Sequence, residues 1–217
     1  MKKLLLVLLF VPLISFGQTA EASELLESGI KKVFGDKFNE ALIDFNLAIE
    51  KDLEGSIKHK IYFERAQLKR RYLEDFNGAL KDYTSSIRFN PNYVRAYVYR
   101  GILYERNFRD YEAAEKDYRK SIEIDPDCGT CWMQLGYNKT VSTAEQIESL
   151  EVALDLGIDL DFDGQLEPVF FIYSAIANIK WRTQGDYLGA IESFQRLIDN
   201  YEEYDADGDG EMDDEVF

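Results

Sequence analysis

Two stretches of the sequence repeat each other and decide the fold. Residues 62–91 read YFERAQLKRRYLEDFNGALKDYTSSIRFNP, and residues 97–126 read YVYRGILYERNFRDYEAAEKDYRKSIEIDP. Identical residues recur 35 positions apart, among them Tyr62 and Tyr97, Arg65 and Arg100, Leu68 and Leu103, Asp82 and Asp117, Tyr83 and Tyr118, Ser86 and Ser121, Ile87 and Ile122, and Pro91 and Pro126. Agreement at one fixed spacing indicates an internal repeat of a single structural unit.

Each unit is predicted to form two helices. Small residues stand where two helix backbones would approach closely: Ala66 and Gly101 in the first helix, Ala79 and Ala114 in the second. An aromatic residue, Tyr83 or Tyr118, follows the alanine four positions later on the same helix face. Pro91 and Pro126 end the second helix, because the residue before a proline is disfavoured in helical geometry.

Similar segments lie on both sides of these two units. Residues 35–52 and 185–198 carry the same pattern of alanine and aromatic residues, and WMQLG at 132–136 precedes AEQIESLEVALDLG at 144–157. Ser142 or Thr143 is expected to cap the start of that last helix, and Gly157 to lie past its end.

On these residues the chain resembles the tetratricopeptide repeat family. The family's W-x-x-L-G opening matches residues 132–136, and its small, Ala, aromatic and Pro positions match Gly101, Ala114, Tyr118 and Pro126. The resemblance implies an all-α protein, a right-handed α-solenoid of about five helix pairs. The tetratricopeptide repeat domain would span residues 18–201, with units at 21–55, 56–91, 92–126, 127–161 and 166–201, followed by an acidic tail at 202–217. The second and third units each carry one extra residue between their helices.

The resemblance also implies a function. First helices of such repeats line a concave face that binds an extended peptide or a helix of a partner protein, with no catalysis. Mapped onto the second and third units, the groove positions are Lys60, Phe63, Gln67, Arg70, Arg71, Arg95, Val98, Ile102, Glu105 and Arg106.

Charge is unevenly distributed along the chain. The sequence has 41 acidic and 25 basic residues, a formal net charge of −16, which disfavours nucleic acid as a partner. Residues 56–120 are nevertheless basic, and residues 199–217 contain acidic residues without any base. The basic middle predicts an acidic peptide or a terminal carboxylate as the ligand, held by arginine. An ordinary solvated surface is the alternative, and the chain's own tail is a further candidate ligand.

Residues 1–17, MKKLLLVLLFVPLISFG, are typical of a secretory signal peptide cut after Gly17. Their apolar run is broken by Pro12 and is shorter than the roughly 20 residues that span a bilayer, so stable membrane insertion is not expected. The chain is therefore expected to be exported, either periplasmic or secreted. In that compartment Cys128 and Cys131 would form a local disulfide or remain as two thiols.

Few residues favour catalysis. His59 is the chain's one histidine, and the two cysteines supply half of a tetrahedral zinc site. The C-x-x-C spacing leaves a thiol oxidoreductase as the enzyme alternative, but the strand and helix pattern that usually carries this motif is missing. We therefore expect no enzyme activity.

Acidic loops suggest the alternative function. Asp205, Asp207, Asp209 and Asp213 match the spacing of calcium ligands, and so do Asp159, Asp161 and Asp163. Neither loop has the twelfth-position Glu, since Val216 and Phe170 stand there. The chain could thus be a calcium-responsive or envelope-structural protein, or the loops could be plain acidic segments. No other cofactor is expected.

The last unit runs directly into the acidic tail. Terminal repeats usually need a polar covering helix, and none is recognisable after residue 201. Another chain is one candidate to cover its apolar outer face, so self-association is left open.

Overall fold

Helices make up the described part of the chain. The computed structural model describes residues 20–158 and 168–204, and these two ranges contain no strand. The helices in them are α1 (20–34), α2 (Phe38–Lys51), α3 (Lys58–Arg71), α4 (Phe76–Phe89), α5 (Val94–Leu103), α6 (Tyr111–Ile124), α7 (Gly129–Tyr137), α8 (Thr143–Leu156), α9 (Pro168–Ile179) and α10 (Tyr187–Tyr204). The all-α prediction is confirmed.

The helices divide into two compact units. The first unit ends at Asp117 and the second begins at Tyr118, within α6. In the first unit α2 packs against α3, α3 against α4, and α4 against α5. In the second unit α7 packs against α8, α8 against α9, and α9 against α10. None of the described helices is long and apolar enough to cross a membrane.

The second helices of the first three repeats bury the same two positions. Small and aromatic residues occupy the fourth and eighth positions of α2, α4 and α6, and all are buried: Ala41 and Phe45, Ala79 and Tyr83, Ala114 and Tyr118. A spacing of four residues places both on one face of the helix. The alanine permits close packing and the ring fills the space beside it, as the sequence pattern predicts.

A buried aspartate follows the same register. Asp82 and Asp117, each at the seventh position of its helix, accept two hydrogen bonds from an arginine of the preceding helix. Arg65 donates from Nε and Nη2 to Asp82 at 2.8 and 2.6 Å, and Arg100 donates likewise to Asp117 at 2.8 and 2.8 Å. Such bidentate pairs are strong and directional. The Arg and Asp residues that recur in the sequence therefore form ion pairs that hold neighbouring helices together.

The turn within a helix pair uses a left-handed residue. Four such residues stand two positions before α2, α4, α6 and α10: Asp36, Glu74, Arg109 and Gly185, with φ of 56°, 52°, 55° and 64°. An aspartate follows the last three, namely Asp75, Asp110 and Asp186, and its N–H donates to the carbonyl six residues earlier at 3.0 Å in each case. The same aspartates accept from the N–H three residues onward, at 2.9, 3.0 and 2.9 Å, and so cap the next helix.

A π-helical turn extends α5 over Tyr104–Phe108, and another extends α9 over Lys180–Gln184. A π turn absorbs one inserted residue without breaking the helix. The turn after α5 therefore accommodates the extra residue that the sequence shows in the third repeat.

In the second unit, the ends of α8 agree with the sequence prediction. Ser142 is the N-cap and its hydroxyl accepts from the N–H of Glu145 at 3.3 Å. Gly157 follows the helix with a φ of 76°. At Gly136 in α7, an added Cβ would lie 2.6 Å from Cγ of Leu150, so only glycine permits this approach of α7 to α8.

Candidate peptide-binding site

Four aromatic rings gather in the first unit, contributed by α3, α4, α5 and the residue before α5. Phe63 of α3 makes edge contacts with Tyr93 and Tyr99, and both ring centroids lie 5.4 Å from its own. Tyr99 also stacks on Tyr83 at 6.5 Å. Phe63, Tyr83 and Tyr99 are buried, so these rings form a firm base that links three helices.

Two arginines lie over this base. Cζ of Arg70 is 5.3 Å from the ring centroid of Tyr99, and Cζ of Arg95 is 5.0 Å from that of Phe63. Both distances suit a cation–π interaction, which holds a guanidinium flat against a ring face. We call Phe63, Gln67, Arg70, Tyr83, Tyr93, Arg95 and Tyr99 the arginine–aromatic site.

Gln67 orients Arg70. The hydroxyl of Tyr83 donates to Oε1 of Gln67 at 2.7 Å, and Nη2 of Arg70 donates to the same oxygen at 3.3 Å. The Nε–H of Arg70 is buried and has no acceptor within the described ranges. No carboxylate among the described residues forms an ion pair with this arginine either. The half-buried guanidinium of Arg70 therefore keeps a positive charge that no described carboxylate neutralises.

Burial fixes the charge state of the site. Burial raises the pKa of Tyr83, and the nearby Arg70 partly lowers it. Burial likewise raises the pKa of Tyr93, and Arg95 partly lowers it. Burial also raises the pKa of Glu64, which Arg95 partly offsets. At neutral pH the two phenols therefore stay protonated, and the arginines supply the positive charge of the site.

The structure places the predicted groove residues in three environments. Exposed side chains are those of Lys60, Arg71, Arg95 and Arg106; half-buried ones are those of Gln67, Arg70 and Glu105; buried ones are those of Phe63, Val98 and Ile102. A buried side chain shapes the surface from beneath, since a ligand cannot reach it without displacing its neighbours. The groove assignment itself stays a prediction.

Four of the predicted groove residues meet in one place. Phe63, Gln67, Arg70 and Arg95 meet in the arginine–aromatic site. Val98 and Ile102 belong to the core of α5. The exposed Lys60, Arg71 and Arg106 lie on α3 and on the π turn after α5.

Sequence reasoning missed Tyr93 as a site residue. It is the residue before α5, and its ring meets Phe63, which lies 30 positions earlier in the chain. A contact of that length leaves no local pattern in the sequence. Tyr83 is recognisable from the repeat only as a packing residue, and its hydrogen bond to Gln67 adds a second role.

The two cysteines belong to the second unit. Cys128 and Cys131 are joined by a disulfide, with their Cα atoms 5.3 Å apart. Cys128 is the N-cap of α7, and its sulfur accepts from the N–H of Cys131 at 3.2 Å. The bond therefore fixes the first turn of this helix.

Three predictions fall outside the described residues. They are the signal peptide at 1–17, the calcium ligands Asp205, Asp207, Asp209 and Asp213 of the tail, and the second acidic loop with Asp159, Asp161 and Asp163.

Comparison with known proteins agrees with the helix-pair architecture. Residues 94–128 match the family model of the tetratricopeptide repeat. MamA from Desulfovibrio magneticus RS-1, from residue 41 to its end, is 15% identical over 85% of this chain and 97% of that chain, with a TM-score of 0.66. A crystal structure of MamA protein is 16% identical over 89% of this chain and 97% of that chain, with a TM-score of 0.68.

A third similar structure is a tetratricopeptide repeat protein from Parabacteroides merdae ATCC 43184. It is 16% identical over 84% of this chain and 67% of that chain, with a TM-score of 0.64. No curated protein matches the chain. At such low identities the likeness concerns the fold. The described helices therefore have the fold of tetratricopeptide repeat proteins, and the third repeat matches the model of that family.

Proposed function

We propose that this chain is a non-catalytic binding module that holds an acidic peptide at the arginine–aromatic site. The observation that carries the proposal is Arg70, a half-buried guanidinium that lies against Tyr99 and forms no ion pair with a described carboxylate. A peptide carboxylate that reaches the Nη groups of this half-buried arginine would supply a charged acceptor, which no described residue provides. Because a guanidinium and a carboxylate match in geometry, two parallel hydrogen bonds can form.

The aromatic base supports this role. Rings that contact one face of a guanidinium shield it from water and restrict its rotamers, which lowers the entropic cost of binding. Gln67 adds a fixed polar contact through its shared oxygen. Arg70 is thus positioned before a ligand arrives.

The charge distribution supports the same ligand class. The site lies wholly within residues 56–120, the basic stretch of an otherwise acidic chain. Such a field attracts acidic peptides and repels basic ones, and its effect weakens as salt screens it. Glu64 is the acidic group beside Arg95, and it opposes the ligand's charge.

Arg70→Gln tests the proposal, with Arg88→Gln as the matched control. Arg88 also lies over a ring, with Cζ 5.1 Å from the centroid of Phe89, but outside the site. Loss of a charge-assisted hydrogen bond should weaken binding of a fluorescent acidic peptide by about tenfold or more in Arg70→Gln. The control should bind like the original chain. Equal binding by all three proteins would refute the site.

We also propose that the chain acts outside the cytoplasm. The pattern of residues 1–17 supports export, and the disulfide between Cys128 and Cys131 is of a kind that persists in oxidising compartments. Mass spectrometry of the protein from its own cells should find a chain that begins at Gln18. A chain that retains residues 1–17 would contradict export by this route.

A further inference from the structure

The disulfide of the second unit is open to attack from one side. Cys128 is partly exposed at the start of α7, whereas Cys131, one helical turn further on, is completely buried. A thiolate that opens a disulfide attacks one of its two sulfurs, and access helps to decide which. Cys131 offers an outside thiol no surface, so the attack has to fall on Sγ of Cys128.

A backbone hydrogen bond favours the reduced form of Cys128. Its Sγ already accepts from the N–H of Cys131 at 3.2 Å, at the N-terminus of α7. A thiolate would accept this bond more strongly than a disulfide sulfur does, because the donor then faces a full negative charge. The partial positive charge of the helix N-terminus acts in the same direction. Both effects stabilise the reduced turn and so make the disulfide easier to open.

Contacts that do not involve sulfur hold the same turn. The backbone N–H of Trp132 donates to the carbonyl of Cys128 at 3.3 Å, and its indole Nε1 donates to the carbonyl of Pro126 at 2.9 Å. Gly129 lies against the end of α8, where an added Cβ would be 1.8 Å from the carbonyl oxygen of Gly157. The turn therefore keeps its shape when the S–S bond opens, and the two sulfurs stay close enough to bond again.

The segment around Cys128 is acidic. Asp125 and Asp127 stand just before it in the chain, and both are exposed. Residues 121–138 contain no lysine or arginine. Negative charges within a Debye length repel an anionic thiol and attract a cationic one. The charge of this segment therefore favours small thiols that are cationic or neutral.

We propose that Cys128 is a site of reversible exchange with small cationic or neutral thiols. The thiolate of one small thiol attacks Sγ of Cys128, the S–S bond breaks, and Cys131 leaves with the electron pair and takes up a proton. A second small thiolate then attacks the sulfur bound to Cys128 and releases Cys128, which is protonated in turn. Two small thiols are thus oxidised to one disulfide while the disulfide of the protein is reduced to two thiols. This exchange does not depend on the proposed peptide binding.

Two single-cysteine variants test which sulfur exchanges. Cys131→Ser retains Cys128, and its matched control Cys128→Ser retains the buried Cys131. With dithiodipyridine, a neutral disulfide, the folded Cys131→Ser variant should react about tenfold or more faster than the control, because reactivity follows access and thiolate character. In urea, where neither cysteine is buried, the two rates should become similar. Circular dichroism should show both variants folded without urea.

The charge of the small thiol tests the preferred class. At low salt and equal thiolate concentration, cysteamine should open the disulfide of the original chain about threefold or more faster than mercaptoacetate. Neutral mercaptoethanol should be intermediate. The difference should shrink in high salt and in Asp127→Asn, whereas Glu50→Gln, an exposed change on α2, should leave it unchanged. Equal rates for the three thiols would overturn the preference for cationic thiols.

Mass spectrometry of the original chain tests the exchange without any substitution. After brief treatment with cysteamine and an acid quench, the small thiol should be found on Cys128. Its presence on Cys131 instead would overturn the proposal. So would a disulfide that opens only in urea at concentrations that unfold the chain, or two single-cysteine variants that react at the same rate while folded.

Discussion

Three buried aspartates have the same structural role in three repeats. Asp44, Asp82 and Asp117 stand at the seventh position of α2, α4 and α6, and each is buried beside a basic side chain. In α8 and α10 the seventh position is a serine instead. The sequence repeat identifies Asp82 and Asp117, but their partners lie 17 residues earlier, and only packing shows that they meet.

Asp44 makes this role testable by pH. Burial alone would favour its neutral form, but hydrogen bonds from Lys32 and Ser28 outweigh burial and hold the pKa of Asp44 below its usual 3.8. The folded chain therefore binds this proton less readily than the unfolded chain. The resulting stabilisation is complete above the usual pKa and is lost as the pH falls through the lowered one.

Asp44→Asn should lower the free energy of unfolding by about 1–3 kcal/mol at pH 7. The deficit relative to the original chain should shrink as the pH falls below 3.8, the usual value. Urea denaturation at several pH values measures both effects, and Asp155→Asn, an exposed change on α8, serves as the control. A deficit that does not vary with pH would contradict this account of Asp44.

At the scale of elements, the sequence predicts helices better than it predicts turns. Helices and their ends are marked by the spacing of alanine and aromatic residues, by Pro91 and Pro126, and by Gly157. Each of these residues acts on the backbone next to it, so its effect can be predicted from the sequence. The left-handed residues Glu74 and Arg109 carry no such mark, since neither is a glycine. The extra residue of the second and third repeats is visible in the sequence, but the sequence does not show that a π turn follows α5 and not α3.

Two substitutions at the left-handed positions of these turns test whether a residue other than glycine lowers the stability of the protein there. Glu74→Gly should raise the free energy of unfolding by up to about 1 kcal/mol, because glycine adopts a positive φ without strain. Gly185→Ala should lower it by about 1 kcal/mol. An added Cβ at Gly185 meets no atom within 4 Å, so only the backbone conformation opposes it. Denaturation curves with no change for Gly185→Ala would show that the turn is not strained.

For the whole molecule, net charge alone is a poor guide to the ligand. A formal charge of −16 suggests that anions are repelled, yet the arginine–aromatic site contains two arginines that lie against aromatic rings. The family resemblance implies Gln67, Arg70 and Arg95 as groove residues. The contribution of Tyr93 follows only from the packing of α5 beside α3, because the repeat does not encode which rings the arginines cover.

A double-mutant cycle between Arg70 and a peptide carboxylate tests the central claim most directly. Isothermal titration calorimetry would compare an acidic peptide with its glutamine-substituted counterpart, on the original chain and on Arg70→Gln. The account predicts that removing either charge weakens binding by about tenfold, and that removing the second adds little. Penalties that simply add would contradict it, because Arg70 would then not hold that carboxylate.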